Sequence, residues 1–149
     1  MKNTHDEDRS FSLNDKKLMK RALALARGGY GHVSPNPLVG AVIVKNGRII
    51  GEGLHRRYGE KHAEAEAVES AAESVAGADM YCSLEPCCYT APGKHQPPCT
   101  DLIIHSGISR VFIANLDPNP SVNGRGVQVL RDAGIEVRTG LLEKEGEEL

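Results

Sequence analysis

The 149 residues fit one compact domain. Hydrophobic residues at 40% and charged residues at 26% exclude a wholly disordered chain, and no apolar run approaches the ~20 residues of a membrane-spanning helix. Lys and Arg number 18 against 20 Asp and Glu; the net charge of −2 weighs against a nucleic-acid partner and toward a small ligand.

Residues 1–12 are polar and are expected to be disordered. They lack the apolar core of a signal peptide, which favours a cytoplasmic protein. Residues 13–28 place Leu18, Ala22, Leu25 and Ala26 on one helical face, with Asn14 or Asp15 to cap the start and Gly28-Gly29 the end. Ser34-Pro35-Asn36-Pro37 is a loop stiffened on both sides of one asparagine. Val39 to Lys45 is an apolar, β-branched strand, Asn46-Gly47 a hairpin turn, and Arg48 to Leu54 the return strand. An Ala- and Glu-rich helix is expected over 62–74 and a short buried strand over Asp79 to Leu84. Four prolines make 85–98 an irregular loop. A helix over 99–106 ends at Gly107, and a strand follows from Arg110 to Ala114. Asp117 to Gly126 is a second loop. A helix over 124–133, stopped by Gly134, leads to a last strand, Ile135 to Arg138. The acidic tail, 141–149, is either a short surface helix or a frayed end. Strands joined through helices imply parallel pairing, whereas the first two pair antiparallel. The expected fold class is therefore α/β: one three-layer α/β/α domain, 13–140, around a mixed five-stranded sheet.

The four cysteines, Cys82, Cys87, Cys88 and Cys99, cluster in a way that in a reducing compartment indicates metal rather than disulfides. His62, Cys87 and Cys99 supply one nitrogen and two sulfurs. A catalytic zinc takes three such ligands and keeps its fourth position open. Two thiolates also balance the charge of Zn2+. Cys99 opens a helix, where free N–H groups and the dipole favour a thiolate. Glu64 is off the face of His62 in a regular helix, and joins it only because both lie at the open end. His-x-Glu followed by Pro-Cys-x-x-Cys is the pattern of zinc deaminases of nucleobases, whose glutamate shuttles protons and does not ligate; here eleven residues separate Cys87 from Cys99. Cys88 is either a fourth ligand of a structural zinc or a neighbour. Cys82 reads as core. Glu66 is a rival of Glu64 or solvated helix surface. Glu85 is expected to anchor the cysteine loop through backbone hydrogen bonds.

Over roughly residues 15–140 the chain resembles the deaminase domain of the bifunctional riboflavin-biosynthesis deaminase/reductases, of the cytidine-deaminase-like superfamily. The resemblance is carried by Ser34-Pro35-Asn36-Pro37-Leu38-Val39-Gly40-Ala41-Val42, Gly53-Leu54-His55, His62-Ala63-Glu64 and Leu84-Glu85-Pro86-Cys87. It continues in Pro97-Pro98-Cys99, Asp117-Pro118-Asn119-Pro120 and Gly124-Arg125-Gly126. It implies a cytidine-deaminase-like fold, zinc on His62, Cys87 and Cys99, and Glu64 as the proton shuttle. It also implies substrate contacts from Asn36, His55, Lys94, Asp117 and Asn119. The implied substrate is a diamino-ribosylamino-pyrimidinone phosphate, on which oxygen replaces a ring amine and ammonia leaves. A homo-oligomer and a separate reductase are the implied partners. The loop Cys88 to Gln96 departs from the family: it is longer, and Tyr89 stands at the position of a family histidine that His95 either replaces or does not. Two other readings stand beside this one. The first is a deaminase of another base, nucleoside or tRNA adenosine; the second is a non-catalytic zinc module.

Overall fold

The structure, a computed structural model, describes residues 11–88 and 98–149. Strands β1 (Gly40–Lys45) and β2 (Arg48–Leu54) form the expected hairpin. Asn46 and Gly47 adopt φ of 52° and 75°, the left-handed conformation that a tight two-residue turn requires. Strands β3 (Asp79–Leu84), β4 (Arg110–Asn115) and β5 (Glu136–Thr139) complete a five-stranded sheet, among the described residues, in the order β2-β1-β3-β4-β5. The β3–β4 and β4–β5 pairs are parallel, as helix-joined strands should be. The expectation fails between β2 and β3. They run in the same direction, but β1 lies between them and pairs antiparallel with both.

The two-residue alternation of strands sorts side chains to the two faces. Ile43, Met80, Val111 and Ile113 meet helices α2 (Ala63–Glu69), α3 (Cys99–Ser106) and α4 (Arg125–Asp132) through Ala63, Ala67, Ile103 and Leu130. On the opposite face Val42, Tyr81 and Phe112 meet α1 (Leu13–Arg27) through Met19, Ala22 and Leu23. The result is the expected three-layer α/β/α fold around a mixed sheet. Among the described residues, no helix is long and apolar enough to cross a membrane.

Several boundaries move for identifiable reasons. The cap of α1 is Ser12 rather than Asn14 or Asp15. Ser12 Oγ accepts from Asp15 N at 2.9 Å, and the Asp15 carboxylate accepts from Ser12 N at 3.2 Å, a reciprocal capping box. Phe11 is buried, with its ring edge-on to Phe112 at 6.3 Å. Phe11 and Ser12 therefore belong to the fold and not to a disordered segment; the rest of that expectation, 1–10, lies outside the described residues. At the other end, Leu141 and Leu142 are buried in the α1 face before the short helix α5 (Glu143–Glu147), so the acidic tail is rooted in the core.

Helix α2 stops at Glu69, short of the expected 74, because the following residues serve the outer edge of β2. Ser70 Oγ donates to Glu52 O at 2.9 Å and accepts from Glu52 N at 3.3 Å, and Ala72 N donates to Ile50 O at 2.9 Å. At the far edge, Arg131 Nη2 donates to Val137 O of β5 at 2.9 Å.

Glycine sets how closely α2 sits on β2. A Cβ on Gly53 would fall inside van der Waals contact of Ala63 O and Ala67 N, both backbone atoms of the helix. Gly53→Ala is therefore expected to push α2 outward and to cost about 1–3 kcal/mol, the usual penalty of overpacking. The denaturation midpoint measures this; an unchanged midpoint would contradict the backbone-to-backbone seating.

Candidate active site

Both cysteine donors and the histidine come from ends of regular elements. His62 is the N-cap residue of α2, with extended backbone (φ −74°, ψ 162°), and its ring makes no capping bond to the helix. The imidazole turns to the two cysteines instead. Cys87 follows the carboxyl end of β3, and Cys99 is the first residue of α3. Cys99 N donates to Cys87 Sγ at 3.3 Å and Thr100 N to Cys87 O at 3.1 Å, so the first turn of α3 grips the segment carrying Cys87.

These placements bring His62 Nδ1 to 3.2 Å from Cys99 Sγ and 3.8 Å from Cys87 Sγ. All three donor atoms lie within 4.8 Å of one another. Bonds of ~2.0–2.3 Å to a tetrahedral zinc set its ligands roughly 3.3–3.8 Å apart, which matches this spacing. The electrostatics point the same way. The hydrogen bond with Cys87, then burial, push the Cys99 thiol well above its ordinary range. A dication favours both thiolates and reverses that mutual disfavour. The residues present fit zinc.

Glu64, the second residue of α2, is 3% exposed. Burial first, and then the charge of Cys87, push its carboxyl up. Cys82 lies below in the core, where burial and then Glu64 push its thiol up. Cys88 is not among the clustered donors. It lines a shallow cleft with Glu85, Pro86, Cys87, Asp117, Val122 and Gly126.

Asn36 and His55 form a pair beside the cluster. The His55 and His62 rings meet edge to face at 5.3 Å. His55 Nδ1 lies 3.0 Å from Lys61 O, which can only accept, so Nδ1 carries the proton. His55 Nε2 is then the acceptor for Asn36 Nδ2 at 3.1 Å. This fixes the orientation of the Asn36 amide. Asp117 and Asn119 lie in the loop after β4 and shape it: Asp117 Oδ1 accepts from Asn119 N at 2.9 Å, and Asn119 Oδ1 from Ser121 N at 3.0 Å. Asp117 also lines the cleft beside Cys87. Lys94, like Tyr89 and His95, lies outside the described residues.

Two glutamates hold neighbouring segments in place. Glu66 is more than solvated helix surface. Its Oε1 accepts from Leu54 N at 3.4 Å and Arg56 Nη2 at 2.8 Å, and its Oε2 from Arg56 Nε at 2.9 Å. It thereby clamps both neighbours of His55 to the helix that His62 begins. Glu85 anchors backbone: among the described residues its oxygens accept from Asp117, Gly124 and Val127, each at 3.0 Å, and the cysteine loop from 89 to 97 lies outside the described residues. The signal for this was present in the chain. Gly124, the residue before α4, has no side chain with which to cap it, so an acceptor had to come from elsewhere.

The family described as the cytidine and deoxycytidylate deaminase zinc-binding region matches residues 12–115. The riboflavin biosynthesis protein RibD of Bacillus amyloliquefaciens is 55% identical over 131 residues, covering 88% of this chain and 34% of that protein. The diaminohydroxyphosphoribosylamino-pyrimidine deaminase of Buchnera aphidicola subsp. Schizaphis graminum is 50% identical over 135 residues, covering 91% of this chain and 90% of that one. Among solved structures, the Thermotoga maritima diaminohydroxyphosphoribosylaminopyrimidine deaminase/5-amino-6-(5-phosphoribosylamino)uracil reductase is 51% identical with a TM-score of 0.84. That match covers 91% of this chain and 38% of that chain. The chain thus spans about a third of the RibD relative and about nine-tenths of the Buchnera protein.

Proposed function

The chain belongs to the cytidine and deoxycytidylate deaminase zinc-binding family and, within it, to the riboflavin-biosynthesis deaminases, and from that premise we propose that it hydrolytically deaminates a diaminohydroxyphosphoribosylaminopyrimidine. The observation that carries the reading is a carboxyl group, Glu64, buried against three clustered donors. A purely structural metal centre has no use for such a group.

His62 Nδ1, Cys87 Sγ and Cys99 Sγ would hold the zinc, which when bound makes water acidic near neutral pH. Glu64 takes the proton of the attacking water and hands it to the ring nitrogen beside the amine-bearing carbon. It then assists protonation of the amine that leaves as ammonia. Burial serves this double role, because it raises the carboxyl toward the range where it can both accept and donate. Asn36, oriented by His55, offers its amide to the ring edge. Asp117 and Asn119 take the ribose side. Lys94 takes the phosphate as a point charge.

The reading includes a cytoplasmic homo-oligomer. Zinc thiolate chemistry suits a reducing compartment. A separate reductase would consume the uracil product, as the second activity named for the Thermotoga maritima protein would. Ammonia release tests the substrate. The phosphorylated pyrimidine is expected to outperform its dephosphorylated form, cytidine and guanine, and Lys94→Ala to raise KM more than it lowers kcat. Equal turnover of the unphosphorylated compound would remove the riboflavin assignment and leave a zinc deaminase of other specificity.

A further inference from the structure

Glu85 sits between the end of β3 and the Pro86-Cys87 segment and is 6% exposed. Its own N–H donates to Asn115 O at 2.9 Å, which carries the β3–β4 ladder one step past the strands. Its carboxylate reaches the next loop. One oxygen, Oε1, accepts from both Asp117 N and Gly124 N, so a single atom gathers the two ends of loop 117–124. The other oxygen accepts from Val127 N, the third residue of α4.

Helix α4 needs this acceptor. Its N-cap, Gly124, is in the left-handed conformation (φ +80°) and offers no side chain, and its first turn holds no acidic residue. Glu85 therefore does from a distant part of the chain what Ser, Thr or Asp does at an ordinary N-cap, and its charge complements the helix dipole. Backbone contact reinforces the join. A Cβ on Gly126 would fall inside van der Waals contact of Pro86 O, so α4 rests directly on the residue before Cys87.

The geometry points to Glu85 as a positioning residue: it sets how far the loop bearing Asp117 and Asn119 stands from the Cys87 segment. The link to turnover rests on the substrate contacts read for Asp117 and Asn119 above. Loop 117–124 keeps its shape through its own turns, including Asn123 Nδ2 donating to Asp117 O at 2.9 Å. Its location is what depends on Glu85.

Glu85→Gln tests the assignment. Gln keeps the volume and one acceptor oxygen, but sets an N–H against the amide of Val127 or against those of both Asp117 and Gly124. Bound zinc and helix content should be unchanged, KM for the phosphorylated pyrimidine should rise about tenfold, and kcat should change much less. Deuterium exchange at the Asp117 and Gly124 amides should quicken about tenfold or more, whatever the substrate proves to be. Wild-type protein alone gives a second reading. These two loop amides should exchange as slowly as amides inside α4. Fast exchange in the wild type, or unchanged exchange and KM in a folded, zinc-loaded Glu85→Gln, would overturn the role. Loss of zinc in that variant would overturn it too, by showing that Glu85 supports the donor cluster instead. If the wild type fails to turn over the pyrimidine, the functional reading falls, and exchange still decides the placement of the loop.

Discussion

Glu64→Gln is expected to retain fold and zinc and to lose turnover by at least about 10²–10⁴-fold, the usual contribution of a positioned proton-transfer group. The loss should reach the upper part of that range, because one carboxyl serves several steps. Gln fits the same buried space but cannot carry a proton. Metal analysis beside steady-state kinetics checks both halves of the expectation. Near-normal activity would move the base elsewhere. Glu66 is a poor substitute, since both of its oxygens are bound to Arg56.

Cys87→Ala should fail differently. Cys87 belongs to the donor group, and its sulfur also accepts from Cys99 N. The variant should lose zinc, turnover and stability together, because ligand bonds couple to folding. A ligand present at a thousandfold its Kd stabilises the native state by about 4 kcal/mol, and that is the stability at stake. Thermal melts with and without a chelator measure it. The chelator should lower the wild-type Tm and leave that of Cys87→Ala unmoved. A variant that still holds one zinc per chain would contradict the donor assignment.

Local chemistry was legible where one residue type has one use. Asn46-Gly47 announced a tight hairpin, Gly107 ended α3 in the left-handed conformation, and His62, Cys87 and Cys99 stood out as a donor set before any fold was known. Long-range competition was not legible. Ala- and Glu-rich sequence favours helix through residue 74, yet the edge of β2 claims Ser70 and Ala72. Periodicity also says nothing about sheet order, so the place of β1 between β2 and β3 was missed. In the site, residue type pointed to His62, Cys87 and Cys99, whose donor atoms the fold brings together, and to Glu64, which it buries. The tasks of Glu66 and Glu85 depend on which backbone amides the fold brings to them, and neither amide set is near in sequence.

Along both margins of the sheet, groups that an incoming strand would need are already engaged, at Ile50, Glu52 and Leu54 on one side and at Val137 on the other. A second extended chain finds little ladder to continue, so growth by strand addition lacks a template here.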